Sequence, residues 1–388
     1  MKIAVLCSNL YNMDKNNKTG TGIFNYDFIR NLVKISKKKK YHITAFVSGA
    51  SSLPGTVESI GLAPSSFDTK IVENGKHIMF ELALVSKAFT EQKKFDLFHV
   101  NIGDGDLVVP FAPFVKKPIL ITLHHIINED FTRRYFSFFQ KQENIFFVSV
   151  SNFQRKILPK LNYVSTIYHG VDTSQFLFHD RGGKTIMWAG RFIPQKGAEV
   201  VVRLAHKTKH KAKLFGVVKN GFEDWFEKNI KNVVHSQGSS SFVSVHTNYE
   251  RSRLVKHFQK SKVFVSPILL EEAFGLVFIE SMACGTPVIS FARGSAPEVI
   301  KDGETGFLVN PSDQDIRGDW IVKKTGFAGL CQAVEKIYSM PVEEYQQMRH
   351  ACRSHVVQNF SVQRMTEKYL EVYGTFSKKN FHLRTPHL

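Results

Sequence analysis

Short apolar runs alternate along the whole chain with segments whose apolar residues recur at helical spacing. The first part predicts strands at Ile3–Cys7, His42–Val47, Asp96–Asn101, Ile119–His124, Phe146–Ser151 and Thr166–His169. A helix over about Ile23–Ser36 places Phe24, Phe28, Leu32 and Ile35 on one face. Strands rich in Val and Ile, each followed by a helical pattern, argue for a parallel sheet covered on both faces. The pattern restarts near residue 184. Strands are predicted at Thr185–Ala189, Lys213–Val217, Val243–His246, Lys262–Ser266, Pro287–Ser290 and Gly306–Val309, with helices between them. Gly170 to Gly183 has no strong period and marks a boundary. The chain thus divides into 1–170 and 171–361, and a last helix starts near Val362 with Met365, Tyr369, Leu370 and Tyr373. The end, 376–388, is polar and frayed.

Size agrees with two domains: 388 residues, 43% of them hydrophobic. No apolar run approaches the ~20 residues that span a bilayer. Met1 to Asn9 reads as a first strand rather than a leader. Cys7, Cys284, Cys331 and Cys352 are scattered, which suggests neither a metal site nor a disulfide framework and favours the cytoplasm. Charge changes the picture more. The net value is +18, and residues 1–168 carry 22 Lys and Arg against 13 Asp and Glu. Clusters stand at Lys37–Lys40, Lys93-Lys94, Lys116-Lys117, Arg133-Arg134 and Arg155-Lys156. They suit anionic headgroups or nucleic acid, or form a solvated lysine-rich surface. Phe131–Lys141 interleaves aromatic and basic residues, which predicts peripheral attachment to an anionic membrane surface.

Candidate chemistry concentrates in Glu272–Ile289. Glu272, Phe274, Gly275, Leu276 and Glu280 follow a predicted strand at the opening of a predicted helix, whose N-terminal N–H groups suit phosphate. At about 1.5 Å per helical residue the two carboxylates stand roughly 12 Å apart, near the span of a nucleoside-diphosphate sugar. Glu280 lies among apolar residues, so burial with a partner is expected. Upstream, Arg191 ends a strand and Lys196 precedes a helix, at the strand ends where open α/β sheets bind ligands. The motifs Glu272-x-Phe274-Gly275-x4-Glu280 and Gly190-Arg191-x4-Lys196-Gly197 resemble those of the GT4-type retaining glycosyltransferases (glycosyl transferases group 1). The likeness is strongest over about 184–310 and thinner over 1–170.

That resemblance implies a GT-B fold: two Rossmann-like, doubly wound α/β domains facing a central cleft, with the last helix (about 362–388) packing back on the first. The N-terminal domain would take the acceptor and the C-terminal domain the donor, a nucleotide-diphosphate sugar. Arg191 and Lys196 would hold the diphosphate, Glu272 the sugar and Glu280 the ribose. Gly20 and Gly22, in Thr19–Gly22, would form the family's glycine-rich loop beside the donor, after a long polar stretch, Tyr11–Lys18. His124, with His125 as second choice, would contact the donor sugar. Phe146-Phe147-Val148-Ser149 and His169-Gly170-Val171-Asp172 with Phe176 match further elements, His169 standing where the family has Asn. Arg293–Ile300 and Gly303–Val309 match its tail. A metal and other cofactors are dispensable on this reading, and Asp104-Gly105-Asp106 is a loop. The acceptor would be a glycan or a lipid-linked one. The competing readings are a nucleotide-sugar epimerase of the same fold and a basic nucleic-acid-binding or DNA-modifying protein. No helix-turn-helix or aromatic-basic RNA motif supports the last.

Overall fold

In the first strand, Lys2–Leu6 (β1), successive side chains serve two different cores. Ala4 and Leu6 pack with Phe98, Val100, Leu84 and Val85 on one face. Ile3 and Val5 pack with Phe28, Leu32, Tyr369 and Tyr373 on the other. Such two-sided burial, at about 1.5–3 kcal/mol per large side chain, stabilises a sheet sandwiched between helices. The computed structural model describes residues 1–388 except 16, 18, 37–39, 237–241 and 378–388. Most of the Lys37–Lys40 cluster, Asn16 and Lys18 of the polar stretch, and 378–388 therefore lie outside the described residues.

The chain divides into two units, Met1–Gly170 with the segment from Val362 onward, and Val171–Ser361. The first holds β1 with β2 (His42–Phe46), β3 (Thr56–Glu58), β4 (Leu97–Val100), β5 (Ile119–Leu123), β6 (Ile145–Ser149) and β7 (Tyr163–Thr166). They form a parallel sheet in the order 3-2-1-4-5-6-7. The second holds β8 (Thr185–Phe192), β9 (Ala212–Val218), β10 (Val243–Thr247), β11 (Ser261–Ser266), β12 (Val288–Phe291) and β13 (Gly306–Val309). Their order is 10-9-8-11-12-13, again all parallel. Each sheet reverses its winding once, between β1 and β4 and between β8 and β11. Those are the points where such sheets open a crevice at their C-terminal strand ends.

The last helix, Val362–Ser377, belongs to the first unit through a buried polar chain as well as apolar packing. His99 on β4 bonds Tyr373 Oη through Nδ1 (2.6 Å) and Thr122 Oγ1 through Nε2 (2.8 Å). Thr122 in turn lies 3.0 Å from Tyr369 Oη. Burial lowers the His99 pKa to about 3, so the imidazole is a neutral relay between strand and helix.

Several elements differ from the sequence expectation; β8, for one, runs to Phe192, three residues past the predicted Ala189. The first helix starts at Gly20, because Thr19 Oγ1 accepts from Gly22 N (3.1 Å) and starts it three residues early. Strand β7 lies at Tyr163–Thr166, ahead of the predicted Thr166–His169. Its residues are half-exposed at the sheet edge and carry little apolar signal. Strand β3 is a short exposed edge that the hydrophobic pattern did not predict.

Candidate functional site

In the second unit, the loops after β8 and β11 meet at the winding reversal. Arg191 is the penultimate residue of β8, exposed, and its guanidinium has no protein partner among the described residues. Pro194–Lys196 form one tight turn, and Gly197 starts the helix Ala198–Thr208 with φ 70°. A Cβ there would come within 2.4 Å of the Pro267 carbonyl oxygen, so only glycine lets this loop close on the end of β11. Leu269 N donates to Gln195 O (2.9 Å), and Trp188 Nε1 donates to Lys196 O (3.0 Å). The backbone of Lys196 is thereby fixed, and its Nζ reaches Glu272 Oε2 at 2.5 Å. Both side chains keep about a fifth to a quarter of their surface open, 19% and 24%.

Glu272 is held from behind. Its carbonyl accepts from Ser295 N (2.9 Å). Its neighbour Glu271 accepts from Gly294 N (2.5 Å), Arg293 Nη1 (3.2 Å) and Arg317 Nη2 (2.9 Å). Asp315 closes this ionic cluster on Arg293 and Arg317, and the Arg317 hydrogen bond holds its carboxyl below the usual carboxylate range. Two adjacent glutamates thus divide the work: Glu271 ties down the loop, and Glu272 faces the lysine.

The helix Leu276–Ala283 begins at Gly275 (φ 80°) and carries no side-chain cap; Phe278 N donates to Gly275 O (3.0 Å), which leaves the N–H groups of Leu276 and Val277 for another acceptor. Phe274 is buried and meets the Phe360 ring at 5.7 Å, while Leu276 is half-buried. Glu272 lies in the loop before this helix. The helical-rise spacing of Glu272 and Glu280 therefore does not apply, because the chain between them is helical only from Leu276. Glu280 is 5% exposed, and its Oε1 receives Arg251 Nε and Nη2, each at 2.8 Å. Arg251 also lies over the Phe176 ring at 4.9 Å. Sequence spacing gave no hint of Arg251 or Glu271, since their partners lie 29 and 22 residues away.

In the first unit, Gly20 and Gly22 form the opening turn of the first helix rather than a glycine-rich loop. Neither has positive φ. His124 follows β5, buried, with its backbone N–H on Asp104 Oδ1 (2.7 Å) and Nε2 3.3 Å from Asn101 Oδ1. Its ring stacks on His169 (5.5 Å, 17°), and Phe24 lies against both. Burial pushes His124 well below the ordinary histidine value and His169 to about 3, so both rings are neutral hydrogen-bonding groups. His125 is exposed and pairs through Nδ1 with Asp104 Oδ2 at 3.0 Å. Asp104 thus spends both oxygens on the end of β5, as a loop residue does. Among the described residues no three His, Cys, Asp or Glu side chains gather to hold a metal, and no helix is long and apolar enough to cross a membrane.

Residues 172–317 match the family model of the glycosyl transferases group 1. An uncharacterized glycosyltransferase of Methanocaldococcus jannaschii is 24% identical over 306 residues, covering 74% of this chain and 80% of that protein. Among solved structures, the sucrose-phosphate synthase of Thermosynechococcus elongatus superposes with a TM-score of 0.76 at 18% identity, over 96% of this chain and 98% of that one. Anabaena HepE, solved in complex with UDP and glucose, gives 0.71 at 15% identity, over 97% and 100%. At these identities the structural likeness is one of fold, the GT-B fold of two α/β domains. Arg191, Lys196, Glu272 and Glu280 all fall inside the segment that matches the glycosyl transferases group 1 model, and the chain as a whole has the GT-B fold.

Proposed function

We propose that the protein is a retaining, GT4-type glycosyltransferase. It moves a sugar from a nucleotide-diphosphate sugar to a hydroxyl of a glycan or lipid-linked acceptor, in glycan, glycolipid or cell-envelope polysaccharide synthesis on the cytoplasmic side. The observation that carries this reading is the 2.5 Å contact of Lys196 with Glu272, made by the two loops at the β8–β11 reversal, together with Arg191, unpaired among the described residues, and a helix start without a side-chain cap. A donor diphosphate would replace Glu272 as the partner of Lys196. The freed carboxylate then accepts hydrogen bonds from sugar hydroxyls. As the C1–O bond breaks, charge grows on the leaving diphosphate, where Arg191, Lys196 and the N–H groups after Gly275 meet it. The donor phosphate itself takes the proton of the attacking hydroxyl. Glu280, fixed by Arg251, would receive the ribose. The UDP and glucose held by Anabaena HepE support a nucleotide-sugar donor.

A thermal-shift panel of UDP-, GDP-, ADP- and CMP-sugars tests the reading. One donor class should raise the melting temperature, since a ligand at 100 times its Kd stabilises by about 2.7 kcal/mol. The matching transfer product should keep the donor's anomeric configuration by NMR. No stabilising donor, or an inverted product, would sink it. Conversion of the donor without acceptor would instead show an epimerase.

Peripheral attachment to an anionic membrane belongs to the same proposal. It is supported by the helix Asp130–Ser137, where Phe131 (75%) and, just beyond it, Phe138 (73%) are exposed near Arg134. Phe136 is buried, and Tyr135 and Phe139 pack on the core, so three of the aromatics expected at the interface are structural. Arg133 pairs with Asp130. Liposome co-sedimentation should require anionic lipid and weaken with salt. It should drop for Arg134→Glu with Lys141→Glu, at about 1 kcal/mol per basic residue. Equal recovery in the supernatant with and without anionic liposomes would refute attachment.

A further inference from the structure

The second unit has a cavity of about 490 Å³ where the helix Arg251–Gln259 meets β8 and β9. Four of its lining residues are Lys213, Arg253, Lys256 and Lys260, and none is acidic. The nearby Glu250 engages Arg253 (3.1 Å) with both side chains exposed. Lys213 is half-buried on β9, opposite Ser244 of β10, and its Nζ has neither hydrogen bond nor ion pair among the described residues. A half-buried ammonium with no counter-charge is costly, and three further cations around it raise that cost.

The wall beside Lys213 is aromatic and ordered. Phe215, two residues on along β9, stacks on its cross-strand neighbour His246 (4.8 Å, 11°) and meets His257 at 4.4 Å. Tyr249 Oη lies 2.9 Å from His257 Nε2. Burial, then the Lys213 charge, lowers both histidines, which keeps two more positive charges out of the cluster. The volume falls in the range of small-molecule sites, larger than a bare anion needs.

We propose that this cavity is a second ligand site, specific for a phosphate group and sized for a phosphorylated sugar. Lys213 meets the phosphate from the sheet, Lys256, Lys260 and Arg253 meet it from the helix, and Tyr249 and Ser252 offer hydroxyls. Charge-assisted bonds of this kind are the strong ones, and a phosphate supplies enough acceptors for several at once. The site is distinct from the donor crevice. Thr185, which lines it, starts β8, whereas Arg191 stands six residues on, roughly 20 Å along the strand.

Isothermal titration with inorganic phosphate and with glucose 6-phosphate tests the site, in an Arg191→Ala, Lys196→Ala background that removes the donor-site cations. Saturable binding that weakens with added salt is expected, tighter for glucose 6-phosphate. Binding should fall at least about tenfold in Lys256→Glu with Lys260→Glu, two exposed positions whose change leaves the fold intact by melting curve. Phosphate should also raise the pKa of His257, read from imidazole NMR shifts, because the anion offsets Lys213. Equal affinity for both probes would show a site for phosphate alone and overturn the sugar part of the proposal. No saturable binding, or binding unchanged in the double glutamate variant, would overturn the site.

Discussion

Alanine at Arg191 or at Lys196 is expected to lower kcat by roughly a hundredfold or more, the scale for deleting one preorganised charge stabiliser. The two residues reach that effect differently. Arg191 is exposed at the end of β8 and has no partner among the described residues, so its loss removes charge without breaking a contact there. Lys196 is positioned by the Gly197–Pro267 approach and by the Trp188 hydrogen bond, and it is already paired with Glu272. Lys196→Ala therefore also leaves the half-buried Glu272 without its cation, and its KM should rise where that of Arg191→Ala rises less. Lys196→Arg tests the point-charge role: a planar fork on the same loop should recover part of kcat but not all. Activity should persist in EDTA if these fixed cations do the work of a metal. Unchanged kinetics in both alanine variants would remove the proposed chemistry. Complete loss in EDTA, restored by Mg²⁺ or Mn²⁺, would reopen a metal role.

How far such a site can be read in advance depends on where its signal lies. Arg191, Lys196 and Glu272 sit on short motifs at predicted strand ends. Parallel strands buried on both faces are clear in the sequence, and the sheet order then brings β8 beside β11. Arg251 and Glu271 carry no such signal. Each becomes important only through a partner brought in by the fold, Glu280 in one case and the Gly294 loop in the other. The glycines at 20 and 22 show the opposite error. A Thr-Gly-Thr-Gly string reads as a loop by composition, yet Thr19 caps a helix across it. The exposed edge strand β3 and the shifted β7 were hard to read for one reason: half-exposed edges need little apolar patterning.

Arg349→Ala is expected to destabilise the second unit by about 3–5 kcal/mol, because several buried carbonyls lose their donor together at about 1–3 kcal/mol each, partly offset by relaxation. Arg349 lies fully buried on the helix Val342–Asn359. Its guanidinium gives Nε and Nη2 to His179 O (2.9 and 2.7 Å), Nη2 to Cys284 O (3.1 Å), and Nη1 to Thr286 Oγ1 (3.1 Å) and Tyr345 Oη (3.0 Å). Cys284 and Thr286 close the turn after the helix that begins at Gly275, and His179 belongs to the aperiodic stretch after Gly170. One turn further along, Arg353 holds the same stretch at Phe176 O (2.7 Å) and Thr173 O (3.1 Å). The boundary segment is thus ordered by two arginines from a helix far along the chain, which is why it shows no period of its own. Truncation at 349 leaves several buried carbonyls without donors. At about 2–4 °C per kcal/mol for a unit of this size, the melting temperature should fall by roughly 6–20 °C. Arg349→Lys should recover only part, because one ammonium cannot serve acceptors arranged around a planar fork. A melting temperature within about 2 °C of wild type for Arg349→Ala would show that the carbonyls find water or other donors at little cost, and would refute this account of the boundary segment.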